Sequence, residues 1–556
     1  MKPNYLVQVF LIALCLLLSS RTFAQDSDKP FVLPMAEPPS AATWLLGQPY
    51  GNTIGAYLRG DAWYRAGQRL HFGLDFSMAC GTPLVAIGAG TIAFVDDLGF
   101  GSAPHNVLIR HDAGYVSLYG HLYDRAPVTP GQRVNAGDLV GYSGDPDLTC
   151  DSRPHLHFEI RSLDYQTTYN PVDLIAANWD ALTAIGSFQT PAFQQNLDDA
   201  RRWMQIDDQP DVTFGGRALN LYDAPYPDWR NGTPIENPPL AVDIRALPVE
   251  AVVTFQQATF TGCCPGIWWD ALNPTRLYGI DGAAGQRASL FAWDVTQPDT
   301  FEVVSTAPPP LTSADGTHTI TPINENEFAI QRTADGATFI VNTGGSIPSL
   351  NTTNTKILFL VTPDTGEERP ATNVWVADVD GNNARIIVSF PGTSARWLDD
   401  HRLLISTREG QNNRLSVLDT ITQQAYGLGA WERLRNLTIA PGGGRLMFYL
   451  FSQSEPSRSG IYTMPTTSGA TAERLDWFGA WAWRSADSLY YLPFQPDQAS
   501  QTLRYLDLVT GEDRALTDAT TQPFLIANGD WAVSPDGARI AFWNATDDTT
   551  WIMAVE

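Results

Sequence analysis

Arg69-Leu-His-Phe-Gly-Leu-Asp-Phe76 and Pro154-His-Leu-His-Phe-Glu159 bracket the stretch whose reading decides the fold. Six of the eight histidines lie in or between these segments: His71, His105, His111, His121, His155 and His157. Folding alone gives no reason to crowd imidazoles into one sixth of a chain that is only 17% charged. Neutral imidazole is the commonest metal ligand, and Asp75, four residues after His71, offers a carboxylate beside it. His155 and His157 stand two apart in an alternating run, so as a strand they leave the same face, and Glu159 continues it. Such a face suits a metal ligand, a catalytic histidine and an outer partner that fixes a ring tautomer. Two imidazoles and one carboxylate leave a fourth tetrahedral position for water, the form of catalytic rather than closed structural zinc.

The rest of the chain bounds this reading. Its 556 residues exceed a single core and point to two to four domains. Thirty-nine prolines and 45 glycines, with 17 Trp and 19 Tyr, favour β-structure with many turns. A formal charge of −25 argues against nucleic acid and against anionic lipid as partners. Residues 1–24 read as an export signal: Lys2, a short apolar run from Leu6 to Leu18, and Thr22-Phe-Ala24 as a cleavage site. That run is shorter than the roughly 20 residues a membrane span needs, so no stable insertion is expected after cleavage. Four further thiols, Cys80, Cys150, Cys263 and Cys264, allow three pairings. Cys80 follows the first His/Asp pair and Cys150 precedes the second His pair, so a bridge between them would brace the metal site.

Residues 25–42, rich in Pro and Ser, read as a mobile lead-in. From 43 to 180 short apolar runs broken by Gly predict an all-β domain, closed by Asn170-Pro-Val-Asp173 and a helix over Leu174–Leu182. Residues 181–250 read as a connector, with a helix over Pro191–Met204 and a Pro-rich linker beyond. From 251 to 556 a repeat of about 40 residues predicts a six- or seven-bladed β-propeller. Its clearest unit is Ala532-Val-Ser-Pro-Asp-Gly-Ala-Arg-Ile-Ala-Phe542, echoed at Ile439–Phe448, while alternating strands ending in Asp recur at Leu290–Asp294, Val374–Asp378, Leu415–Asp419 and Leu503–Asp507. Residues 306–350 are the hardest to allocate to a blade. These units resemble TolB-like propeller repeats, which implies architecture and not activity.

Between Tyr50 and Asp173 several motifs occur in order: His71-Phe-Gly-Leu-Asp75, Gly81-Thr-Pro-Leu-Val-Ala86, Asn106-Val-Leu-Ile-Arg-His111, Tyr119-Gly-His-Leu122, Gly131-Gln-Arg-Val-Asn-Ala-Gly-Asp138, Gly141-Tyr-Ser-Gly144 and Pro154-His-Leu-His-Phe-Glu159. Together they resemble the lysostaphin/LytM-type zinc metallopeptidases, whose fold is the duplicated hybrid motif, a β-sandwich or barrel-like domain. The resemblance implies one Zn2+ held by His71, Asp75 and His157, with His121 and His155 as catalytic histidines whose separate roles stay open. It further implies an exported peptidase, secreted, periplasmic or at the cell surface, that cuts cross-bridge or stem peptides of bacterial peptidoglycan. The alternatives are a non-catalytic wall-binding or regulatory protein and a zinc endopeptidase acting on secreted proteins. On the same reading the propeller holds a protein or polymer partner. His105 and His111 read as lying outside the metal shell, and His318 and His401 as structural. Two segments depart from the family pattern: Asp145–Arg153, which should border the cleft, and Ile54–Gln68.

Overall fold

Residues 29–51, 53, 56, 68–185, 206, 207, 209–216, 253–257, 267–281, 289–297, 301–305, 311–367, 369–522, 524–547 and 549–555 are described in a computed structural model of the chain. The export signal, the Pro191–Met204 helix, most of Ile54–Gln68 and Cys263-Cys264 lie outside these residues.

The first domain is built from strands β1 (Trp44–Leu46), β2 (Leu74–Met78), β3 (Pro83–Val85), β4 (Gly90–Val95), β5 (Val107–His111), β6 (Val116–Gly120), β7 (Arg133–Val134), β8 (Leu139–Tyr142), β9 (His155–Arg161), β10 (Thr167–Tyr169) and β11 (Val212–Thr213), with short helices α1 (Pro171–Leu174) and α2 (Trp179–Ala184). One antiparallel sheet runs β1-β2-β9-β6-β5-β4-β7; β10 pairs with β9 and β11, while β3 and β8 form a separate pair. Alternation fixes which face is core: Leu74, Phe76, Met78, Leu156, Phe158 and Ile160 are all fully buried. The intervening Asp75, His155, His157 and Glu159 therefore face the other side.

The chain between Lys29 and Ala42 corrects the expected mobile lead-in. Phe31 and Met35 are buried in the domain core, and bridges join Phe31 to Ile175 and Met35 to Leu84. The segment is an extended strap anchored by a few apolar side chains. Likewise α1 and α2 divide the single helix expected over Leu174–Leu182: the backbone is extended at Ile175, and Asn178 restarts it by capping Ala181.

Seven four-stranded antiparallel sheets make up the second domain, so the blade count is seven. Blade 1 spans 268–305, blade 2 311–342, blade 3 349–391, blade 4 393–432, blade 5 434–474 and blade 6 479–515. Blade 7 takes three strands from Ile526–Val555 and its fourth from Val253–Gln257, which pairs with Thr549–Val555. This closes the ring by joining the two ends of the repeat, and Trp269 Nε1 donates to the Ala532 carbonyl at 2.9 Å to seal blade 1 against blade 7. Against blades 5 and 6 lies the first domain, with Leu45 and Ile185 inserted among Met447, Tyr449, Phe451, Ile461, Leu489 and Tyr491.

Cys80 and Cys150 are bonded to each other. His111 is buried, with Nε2 2.7 Å from Ser117 Oγ and Nδ1 3.2 Å from the Gly88 carbonyl, and burial pushes it down to about 4. The unfolded chain, with an ordinary imidazole near 6.5, thus binds this proton first, so its contribution is complete above pH 6.5 and is lost as the pH falls towards 4. The loss amounts to about 3 kcal/mol. His111→Gln should therefore melt below wild type at pH 7, with the gap narrowing steadily to pH 4.5. A constant gap in thermal melts would contradict this assignment.

Candidate metal centre

Strand register assembles the site. In the β2–β9 pair Asp75 lies directly opposite His157, and Ser77 opposite His155. In the β9–β6 pair His157 lies opposite Gly120, which places His121 at the rim of the same face. His71 enters just before β2, bridged through its backbone to Gly51. The turn between His71 and Asp75 needs Gly73, because a Cβ there would sit 2.3 Å from the Phe158 carbonyl oxygen.

His71 Nε2, Asp75 Oδ1 and His157 Nδ1 converge. Asp75 Oδ1 is 3.2 Å from His71 Nε2 and 2.9 Å from His157 Nδ1, and the two ring nitrogens are 3.2 Å apart. Among the described residues these three form the one group able to hold a metal ion, their ligand atoms all within 4.8 Å of one another. His71 Nδ1 lies 2.7 Å from the Pro49 carbonyl oxygen. A carbonyl only accepts, so the proton sits on Nδ1 and the Nε2 lone pair points into the cluster. His157 is the mirror case: Nε2 donates to Glu159 Oε1 at 3.0 Å, which leaves Nδ1 for a ligand. Glu159 is in turn held by Arg161 Nε at 2.6 Å. Two nitrogens and one oxygen in this arrangement, with outer partners fixing both tautomers, match the donor chemistry of a three-residue zinc site.

Electrostatics agree with cation binding. Burial opposes charge on Asp75, but the His71 and His155 rings and the hydrogen bond from His157 hold its carboxyl well below the usual carboxylate range. Burial also works against a charged His157, yet Asp75 and Glu159 outweigh it and lift the ring to about 9. Glu159, buried, is brought down to about 2 by Arg161 and His157. A ring that keeps its proton so firmly between two carboxylates is a place where a metal cation can replace that proton.

His121 and His155 flank this cluster, their ring centroids 4.9 Å apart, and His121 lies 5.8 Å from His157. Nδ1 of His155 donates to the Arg153 carbonyl at 2.6 Å, and Nδ1 of His121 donates to the Ala103 carbonyl. Each ring therefore presents Nε2 as its lone-pair nitrogen, that of His155 lying 3.7 Å from Asp75 Oδ2. Burial, helped by His155 and His157, pushes His121 down to about 3, and burial lowers His155 as well. Both stand neutral beside the cluster.

All five residues expected at the site are thus together. His105 lies apart, 3.0 Å from Asp96, and His111 is in the core. In the propeller, His318 is buried with Nδ1 2.9 Å from Thr317 Oγ1, and His401 lies between Asp399 and Asp419. Sequence reasoning missed Arg161, although it continues the His155, His157, Glu159 alternation by one more step. It also missed the three carbonyls that set the tautomers, for which no side-chain signal exists.

Residues 69–173 match Peptidase family M23. The chain is 31% identical over 149 residues to glycyl-glycine endopeptidase ALE-1 of Staphylococcus capitis, covering 26% of this chain and 39% of that protein. It is 34% identical over 90 residues to the peptidoglycan DD-endopeptidase ShyA of Vibrio cholerae, covering 16% and 20%. The solved catalytic domain of lysostaphin from Staphylococcus simulans is 29% identical, covering 21% of this chain and 80% of that one at a TM-score of 0.18. These curated relatives are matched over two fifths of their length or less. Residues 69–173 are a Peptidase family M23 domain.

If Glu159 orients His157 towards a metal, Glu159→Gln should weaken Zn2+ affinity roughly 10- to 100-fold. Competition against a chromophoric chelator measures this directly; unchanged affinity would assign Glu159 to folding alone.

Proposed function

We propose that this chain is an exported zinc metalloendopeptidase that hydrolyses peptide bonds of bacterial peptidoglycan, in a cross-bridge or a stem peptide. The convergence of His71 Nε2, Asp75 Oδ1 and His157 Nδ1 beside two neutral imidazoles carries the reading. Zinc bound there supplies Lewis acidity for the scissile carbonyl and lowers the pKa of a water molecule to about 7. The protein does the rest. His121 and His155 present Nε2 lone pairs, so one ring can take the proton of the attacking water at Nε2 and, as the imidazolium, pass that same proton to the leaving amine. Their Nδ1 bonds to the Ala103 and Arg153 carbonyls keep the rings turned towards the reacting centre throughout.

The substrate class is supported by relatives whose names state action on glycyl-glycine bonds and on peptidoglycan. An envelope location outside the cytoplasm follows from that substrate and from the residue 1–24 pattern; no helix among the described residues is long and apolar enough to cross a membrane. The propeller serves as a platform for a protein or polymer partner.

Replacing His121 with Ala should lower kcat by about 10²- to 10⁴-fold with one zinc per chain retained. His157→Ala should lose both zinc and hydrolysis. Digestion of purified sacculi and of a Gly-rich protein, each with chelator and then added zinc, tests the substrate. Hydrolysis that persists without zinc would overturn the mechanism, and cleavage of the protein alone would overturn the wall assignment.

A further inference from the structure

The loop from Asp145 to Arg153 is the least family-like part of the first domain, yet it carries the carbonyl that turns His155. It has no regular strand or helix, and two of its non-glycine residues, Leu148 (φ 65°) and Cys150 (φ 57°), adopt the left-handed conformation. Such backbone persists only where the surroundings over-determine it. Inside the domain, a buried carboxylate and a disulfide restrain it, with Asp147 accepting from Thr149 N and Oγ1 within the loop itself. Asp145 accepts from Ser152 Oγ at 2.8 Å, from Ser152 N at 3.2 Å and from Arg153 N at 3.1 Å, and Cys150 is tied to Cys80.

The other restraint comes from the propeller. Arg408 lies near the end of the second strand of blade 4, and Gln411 is in the two-residue turn, Gly410-Gln411, that joins it to the third. Arg408 Nε donates to the Gly410 carbonyl at 2.9 Å, which aims the guanidinium, and Nη2 then donates to the Ser152 carbonyl at 3.1 Å. Gln411, almost wholly buried, donates from Nε2 to the Cys150 carbonyl at 3.4 Å. Gly410 abuts Asp151: a Cβ on it would lie 3.9 Å from the Asp151 carboxyl carbon. One blade hairpin therefore touches three consecutive loop residues, 150, 151 and 152. The next, Arg153, is the one whose carbonyl accepts from His155 Nδ1.

We propose that Arg408 and Gln411 of the propeller are positioning residues for the peptidase cleft, clamping the 145–153 loop so that the Arg153 carbonyl holds the His155 ring in its working tautomer. This rests on the peptidase reading above and adds a partner to it: the propeller completes the active site from outside the family domain. Neither residue touches the substrate or the reacting atoms. A displacement of about 1 Å in a catalytic group can cost on the order of 100-fold in rate, so a clamp that ends at Ser152, beside the residue whose carbonyl holds His155, has leverage.

The test uses the full-length chain carrying Arg408→Ala with Gln411→Ala, and separately Arg408→Lys, which keeps one donor within reach. Amide hydrogen exchange across residues 145–153 should quicken at least about fivefold in the double variant. Its kcat on muropeptides should fall at least about tenfold with zinc stoichiometry unchanged and with KM altered far less. Arg408→Lys should recover most of the lost kcat. Loop exchange equal to wild type overturns the clamp, as does quickened exchange with kcat within twofold of wild type. Exchange needs no turnover, so a wild-type protein inactive on both wall peptides and the Gly-rich protein would sink the peptidase reading while the loop measurement still decides whether the clamp exists.

Discussion

Asp75 faces His157 across one antiparallel pair, and the remaining site geometry hangs on that register. Apolar side chains hold it, not the site residues. Leu74, Phe76 and Met78 on β2 and Leu156, Phe158 and Ile160 on β9 fill the opposite face with no exposure. Slipping β9 by one residue would carry its three core side chains into the site and put His157 in the core. Each apolar side chain brought out of the core forfeits about 1.5–3 kcal/mol, and three of them approach the whole net stability of a typical domain, about 5–15 kcal/mol. The metal-binding geometry is thus enforced from behind. Gly73 and Gly144 let the flanking backbones approach, Gly73 against Phe158 and Gly144 against His121 and Tyr123.

On the site face the chain accepts several buried or half-buried ionisable groups, which is stable only because each has a partner. Glu159 is covered by His157 and Arg161, and the Arg161 guanidinium is covered by the Phe100 carbonyl and the Phe214 ring, 4.8 Å away. Removing one member leaves a buried charge with nothing to offset it, a larger penalty than the pair's own attraction. The row His157–Glu159–Arg161 is therefore both a wall of the fold and the means of fixing a ring tautomer, and neither role can change without the other.

Much of this was legible in the chain because strand alternation converts spacing into facing. His155, His157 and Glu159 could be placed on one face, and Asp75 brought to them, before any coordinates. Elements whose signal is not periodic were the ones that escaped. The strap from Lys29 to Ala42 buries isolated anchors, Phe31 and Met35, which form no helix or strand pattern, so its Pro-rich composition read as mobility. Residues 306–350 resisted allocation because Ala314 stands where the clearest repeat has Pro535. The turn is nonetheless the same: Ser313 and Ser534 each donate to the Asp two residues on, and each accepts from the backbone N–H five residues on. The closing strand, Val253–Gln257, pairs with the far end of the chain, and no local pattern encodes a partner some 300 residues away.

The contact between the two domains has a division of labour that follows from its chemistry. At its centre, Leu45 and Ile185 are buried among side chains of blades 5 and 6, while Asn178 donates to the Pro496 and Gln498 carbonyls and the Ser452 amide to the Ala41 carbonyl at 2.7 Å. Apolar burial is non-directional and supplies adhesion, whereas the backbone-directed hydrogen bonds select one orientation. An orientation fixed in this way is what allows a blade 4 hairpin to reach a loop of the other domain reproducibly, since hydrogen bonds of about 3 Å tolerate little drift. A propeller tethered by a free linker could not keep a hairpin against the 145–153 loop, whereas one docked through a shared apolar cluster can.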